Sequence, residues 1–193
     1  MASIARDSLL TLEAYARERE AFRARVMAHK RHRTVHVGRH VTLIFEDELT
    51  IRYQIQEMLR IEKTFDEAGI RAELDAYTPL IPDGTNLKAT MMIEYEEPEQ
   101  RKVELERLKG IERRVVLQVG ASRIFAIADE DLERENETKT SAVHFLRFQF
   151  DPAARAALRA GAEMALGIDH PNYPERTEKL APEVQASLLR DFD

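Results

Sequence analysis

Four side chains join proton-handling chemistry to positions that predict shelter from water: Glu62, His144, Asp169 and His170. In IRYQIQEMLRIEKTF (51–65) a helical period places Ile51, Ile55, Met58, Leu59 and Phe65 on one stripe, with Ile61 at its edge. Glu62 falls near the middle of that stripe. A carboxylate held in an apolar layer needs a partner or loses its charge. In AVHFLRFQF (142–150) a period of two groups His144 with Leu146, Phe148 and Phe150, so His144 is the expected partner. Arg147 takes that place if the opposite face of the strand is the covered one. The pair then either fixes helix on sheet or works as a general base or metal ligand with an imidazole beside it. Asp169-His170-Pro171, with Tyr173 close by, offers a second arrangement. There Asp169 orients His170 for acid–base work, both join a metal site with a carboxylate from elsewhere, or the group is a capped turn.

Binding chemistry is expected at two further places. Tyr53, Glu57 and Arg60 gather on the other side of the same helix, as a solvated face with one ion pair or as an interaction surface. Asp83 and Lys88 flank the loop TPLIPDGTN (78–86) and could hold an anion or a substrate. His29, His32, His36 and His40 are close in sequence but fall on a helix end and on the two sides of a turn, so solvated histidines are expected over a nickel or zinc site. The run HKRHR (29–33) suits a helix C-terminus, with a phosphate or nucleic-acid patch as the competing reading.

Composition narrows the chemistry. No cysteine is present, which excludes disulfides, thiolate catalysis and cysteine-ligated iron–sulfur or zinc sites. A net charge of −6 disfavours a general nucleic-acid or anionic-membrane binder. There is no secretory signal pattern and no apolar run of about 18 residues, so a cytoplasmic protein with no membrane or nucleic-acid partner is expected. Phosphate loops, nucleophile elbows and HExxH motifs are absent from the sequence.

The elements that must position these residues follow from period and punctuation. Asp7, Ser8 and Thr11 are alternative caps for a helix to about residue 30, whose thin apolar side lies across the body or pairs with another chain. Strands are predicted in 35–46, with a two-residue turn at Gly38-Arg39, in 87–95, in 113–127 as two strands around a turn at Gly120 to Ser122, and in 142–150 and 162–168. Helices are predicted from Pro98, from Asp151-Pro152 and over 182–189, with Gly69 separating the central helix from a short one ending near Ala76. The stretch 129–140 reads as an acidic surface loop with one helical turn, and DHPNYPER (169–176) as a rigid loop. The chain 1–193 is therefore expected to be one α+β domain, a mostly antiparallel sheet of about six or seven strands with helices against it, a partly closed barrel being the alternative.

YQIQEMLRIEK (53–63), LIPDGTNLKATMMIE (80–94), ADEDLERENETKTSAVHFLRF (128–148) and LGIDHPNY (166–173) together resemble an uncharacterised bacterial family, a domain of unknown function. The resemblance implies one domain over nearly the whole length. It also implies a redox or metal-handling context, because members are often encoded beside a rubrerythrin-like protein and an iron–sulfur protein related to heterodisulfide reductases. It carries no catalytic residue and no cofactor, and the histidines at 29, 32, 36 and 40 do not belong to its pattern. Two functions are expected from this reading. One is an accessory protein that docks onto such a redox partner or forms a homo-oligomer through the 53/57/60 face or the first helix. The other is an enzyme or a small-ligand or metal binder using Glu62, His144, Asp169 and His170.

Overall fold

In the computed structural model, which describes residues 4–128 and 139–192, the chain folds as α+β with antiparallel strands in two sheets. The first sheet has the order β1 (Thr34–Val37), β2 (Val41–Glu46), β3 (Asn86–Ile93), β7 (Val143–Gln149), β6 (Ile127–Ala128). The second has the order β5 (Ser122–Phe125), β4 (Val115–Val119), β8 (Met164–His170), β9 (Tyr173–Arg176). The division arises at Ala126, a buried residue between β5 and β6 whose N–H donates to Val115 O. There the chain leaves one sheet for the other, so the expected continuous strand is broken and no barrel closes. The stretch 169–176 forms a hairpin where the sequence predicted a loop, with His170 opposite Tyr173. Pro174 is accommodated because β9 is an edge strand.

Period two decides the main core. Val41, Leu43 and Phe45 on β2, Leu87, Ala89 and Met91 on β3, and Leu146 and Phe148 on β7 pack with Val115, Leu117, Leu166 and Ile168 of the second sheet. The helices α4 (Pro98–Arg107), α5 (Pro152–Arg159) and α6 (Pro182–Leu189) add Leu105, Leu158 and Leu188 to it. Among the described residues no helix is long and apolar enough to cross a membrane. The acidic stretch predicted at 129–140 falls for the most part outside the described residues.

A second core lies on the outer side of the first sheet. It joins Ile51, Ile55 and Leu59 of α2 (Glu48–Glu62) to Ile70 and Leu74 of α3 (Glu67–Tyr77), with Phe145 packed against them. The helix α1 (Leu12–Arg31), capped by Thr11, crosses α2 on its other side. The phase of α2 therefore differs from expectation. Its buried stripe is Ile51, Ile55 and Leu59, and the side carrying Tyr53 and Gln56 is buried too, under α1. A capping box between Asp47 and Thr50 starts this helix, and Lys63, at φ 55°, ends it. That stop leaves Ile61 at 61% and Phe65 at 81% exposure. The break between α2 and α3 comes at residues 63–66, and Gly69 lies inside α3, its N–H bonded to the Asp66 cap.

Candidate functional site

The structure does not assemble the expected Glu62–His144 pair. Glu62 is exposed on the last turn of α2, with Glu73 as a neighbouring charge. His144 is buried on the core face of β7, its Nε2 at 2.8 Å from Thr140 Oγ1 and 3.0 Å from Ser141 O. Asp169 and His170 are adjacent on a strand and so point to opposite faces. Asp169 pairs with Arg123 and Arg176, while His170 donates from Nε2 to Lys109 O and accepts at Nδ1 from Asn172 N–H. None of these four residues lines either of the clefts described below.

The expected binding residues are largely spent on the fold. Tyr53 is buried, edge to face with Phe22 of α1. Glu57 accepts from Tyr15 Oη at 2.7 Å, from Arg19 at 2.8 Å twice and from Arg60 at 3.1 Å. Those bonds, Arg19 first, hold the Glu57 carboxyl down at about 2. The Tyr53 and Glu57 part of the surface predicted for a partner is thus occupied by the chain's own first helix, while Arg60 stays exposed. Arg147 donates to Gln149, Lys88 to Pro79 O, and Asp83 accepts from the Thr85 amide and hydroxyl. Tyr173 Oη donates to Val37 O and accepts from His40 N–H, which ties the β1–β2 turn to the second sheet. That turn has three residues, 38–40, where two were expected, since Val37 pairs with Val41.

A polar hub that the sequence reading missed sits where α1 meets β1. Arg33 is 1% exposed and donates to Phe45 O, Glu46 O, Ser187 O and Asp191 Oδ2. Asp47 lies 3.5 Å from the same guanidinium and accepts from His29 Nε2 at 2.5 Å. Two carboxylates thus share one buried cation, and they respond in opposite directions. Burial pushes the Asp191 carboxyl up to about 6 in spite of Arg33. Burial also opposes charge on Asp47, but Arg33, the Thr50 amide and His29 together hold its carboxyl below the usual range. A cleft of about 430 Å³ opens beside this hub, yet Arg33 is fully engaged with the protein. The arrangement works as a bolt joining α1, β2 and the C-terminal turn.

The site whose polar groups remain available is at the open end of the first sheet. A cleft of about 720 Å³ lies between the 38–40 turn, the end of β3 and the start of α4. His40 stacks on Tyr95, with centroids 4.1 Å apart and planes at 14°. The His40 Nδ1–H donates to Glu94 O at 2.9 Å, which leaves Nε2 without a hydrogen-bond partner among the described residues. Met92 and Val143 supply apolar surface, and the side chains of Arg39, Glu97 and Gln100 line the rim without a hydrogen bond or ion pair among the described residues. Arg101, by contrast, is spent on Tyr95 O and Glu96 O and stiffens the wall. Beside the cleft, Thr42 Oγ1 donates to Glu94 Oε2 at 2.5 Å and lies 3.0 Å from His36 Nδ1.

The turn is built to hold this geometry. Gly38 has φ +66°, and a Cβ there would come within 2.7 Å of both Glu175 Cγ and Tyr173 Oη. Only glycine admits that close approach. Among the described residues no three His, Asp or Glu side chains gather where a metal could be held. His36, His40, Thr42 and Glu94 were not expected to work together. The hairpin period contains the signal, since it places His36 opposite Thr42, but the approach of Glu94 comes from the residue after β3, some 50 residues away.

The model of the family described as protein of unknown function (DUF3501) matches residues 3–192. A crystal structure of a novel protein of unknown function from Burkholderia pseudomallei K96243 is similar, at 59% identity and a TM-score of 0.94 over 100% of both chains. No curated protein matches the chain.

Proposed function

We propose, for a chain that belongs to the DUF3501 family of proteins of unknown function, that it is a single-domain cytoplasmic accessory protein that binds a small, flat, cationic or hydrogen-bond-donating molecule. The observation that carries this reading is the 720 Å³ cleft, with the His40–Tyr95 stack as one wall. Its size falls in the range of small-molecule sites, about 300–1,000 Å³. A stacked pair of rings beside Met92 and Val143 suits a planar ring. Glu94, Glu96 and Glu97 outnumber Arg39 and Arg101, and Arg101 is already bonded to backbone, so the field favours a positive group.

The test uses three flat probes of one shape and different charge: benzamidine, benzamide and benzoate. Benzamidine is expected to shift the His40 and Tyr95 NMR resonances and to bind at least tenfold more tightly than benzoate. Equal binding of benzoate, or no response at His40 and Tyr95 to any probe, overturns the reading.

One observation favours a second reading, docking onto a redox partner of the rubrerythrin-like or iron–sulfur kind, or onto a second copy. Ile61 and Phe65 stand exposed together at the end of α2, an apolar pair next to Glu62. Sedimentation velocity of the protein and of its Ile61→Ser, Phe65→Ser variant tests the self-association arm. An unchanged sedimentation coefficient at high concentration counts against a homo-oligomer through this end.

A further inference from the structure

We propose that His36, Thr42 and Glu94 form a proton relay that joins solvent to the cleft. The argument is one of proton counting. A threonine hydroxyl carries one proton, and Thr42 gives it to Glu94 Oε2 at 2.5 Å, because a carboxylate only accepts. The contact of 3.0 Å to His36 must then run the other way, with the imidazole Nδ1–H donating to Thr42 Oγ1. His36 Nε2 is left outward on an exposed residue, with no partner among the described residues. Thr42 is only 5% exposed, so the middle of the relay is shielded while its two ends are reachable. Glu94 is also a lining residue of the cleft.

The step balances without any other reactant. In the imidazolium form the His36 Nδ1–H bond breaks as a Thr42 O–H bond forms, and the original Thr42 O–H breaks as Glu94 Oε2–H forms. One proton moves from His36 to Glu94, no electron moves, and solvent restores the imidazolium. Glu94 then hands its proton to a basic nitrogen of the flat molecule in the cleft. That recipient rests on the reading of the cleft as a binding site; the relay itself does not. His36 and Thr42 act here as positioning and proton-carrying residues.

The relay predicts an uncommon tautomer. In ¹⁵N NMR of the full chain near pH 8, His36 is expected as the Nδ1–H form, whereas a free neutral histidine side chain favours Nε2–H. Thr42→Val removes the acceptor, and Glu94→Ala frees the Thr42 proton to point at His36, so each is expected to convert His36 to Nε2–H. Thr42→Ser and Glu94→Gln keep the Nδ1–H form, and they also guard against loss through misfolding. An Nε2–H tautomer in the native protein, or no change in both Thr42→Val and Glu94→Ala, overturns the relay. Benzimidazole, a flat weak base, then separates the two claims. It is expected to move the His40 resonances in native and Thr42→Val proteins but to change the His36 tautomer only in the native one. No movement of His40 overturns the cleft; movement of His40 with His36 unchanged overturns the delivery of the proton to it.

Discussion

Replacing Asp191 by asparagine is expected to stabilise the protein at pH 8, although it removes one half of a buried ion pair. Asp191 Oδ2 is 2.5 Å from Arg33, and the two side chains are 6% and 1% exposed. Breaking such a pair usually costs about 3–5 kcal/mol because a charge is left alone. Here Arg33 is not left alone, since Asp47 remains at 3.5 Å and three backbone carbonyls still accept from it. With both aspartates ionised the hub carries an excess negative charge away from water. Burial wins, and the Asp191 carboxyl rises from 3.8 to about 6. A raised acid favours the folded state below its unfolded pKa, and that advantage is lost as pH rises through the folded one. The difference of about 2 units, at 1.36 kcal/mol each, sets an upper bound of about 3 kcal/mol. Asparagine keeps an oxygen for Arg33 and carries no charge. The gain for Asp191→Asn is therefore expected to be about 2–3 kcal/mol at pH 8 and to shrink to nothing near pH 4. Asp191→Ala leaves the Arg33 N–H without its acceptor, so it is expected to lose about 1–3 kcal/mol near pH 4 and, since it too removes the charge, to fall below Asp191→Asn by a similar amount at pH 8. Urea denaturation of the three proteins between pH 4 and pH 8 measures this. Asp191→Asn less stable than the native protein at pH 8, with a difference that does not vary with pH, refutes the account of the hub.

The remaining expectations concern the docking of α1 and the turn that carries the cleft. Glu57, whose carboxyl is lowered from 4.5 to about 2 with Arg19 as the largest cause, contributes stability above its unfolded pKa that is lost as pH falls through the folded one. Arg19 is 35% exposed and solvent screens the pair, so Glu57→Gln is expected to cost about 1–2 kcal/mol at pH 7 and less below pH 3. Faster amide exchange across residues 12–31 at pH 7 is the accompanying signature, and unchanged exchange there argues against the clamp. Gly38→Ala combines a positive φ with a 2.7 Å approach to Glu175 and Tyr173, so a loss of about 1–3 kcal/mol is expected by thermal melting. Tyr173→Phe removes the bridge between Val37 O and His40 N–H and is expected to cost about 1–2 kcal/mol and to weaken benzamidine binding several-fold. A variant that melts lower but binds the probe unchanged separates the turn from the site.

Much of the architecture was legible in the chain. Alternation marked β2, β3 and β7, Asp151-Pro152 and Pro98 marked helix starts, and α6 was visible near 182 to 189. Local signals suffice there because caps, prolines and period two act within a few residues. The site was far less legible. Periodicity showed that α2 has an apolar stripe, but not which residues outside its last turn remain uncovered. Phe65 read as core because it is apolar, and it stands in solvent because the helix stops at Glu62 and the chain turns at Lys63.

The residues alone settled the absence of thiol chemistry, the antiparallel α+β class and the location of most elements. Tertiary structure decided which polar groups meet. Arg33 looked like one cation in a basic run until β2, α6 and the C-terminal turn closed around it, and Asp191 lies 158 residues away in sequence. Glu94 reaches Thr42, and through it His36, only because β3 pairs with β2 in one register. Burial and hydrogen bonding depend on what covers a side chain, and those covering residues come from distant parts of the chain, where no local pattern records them.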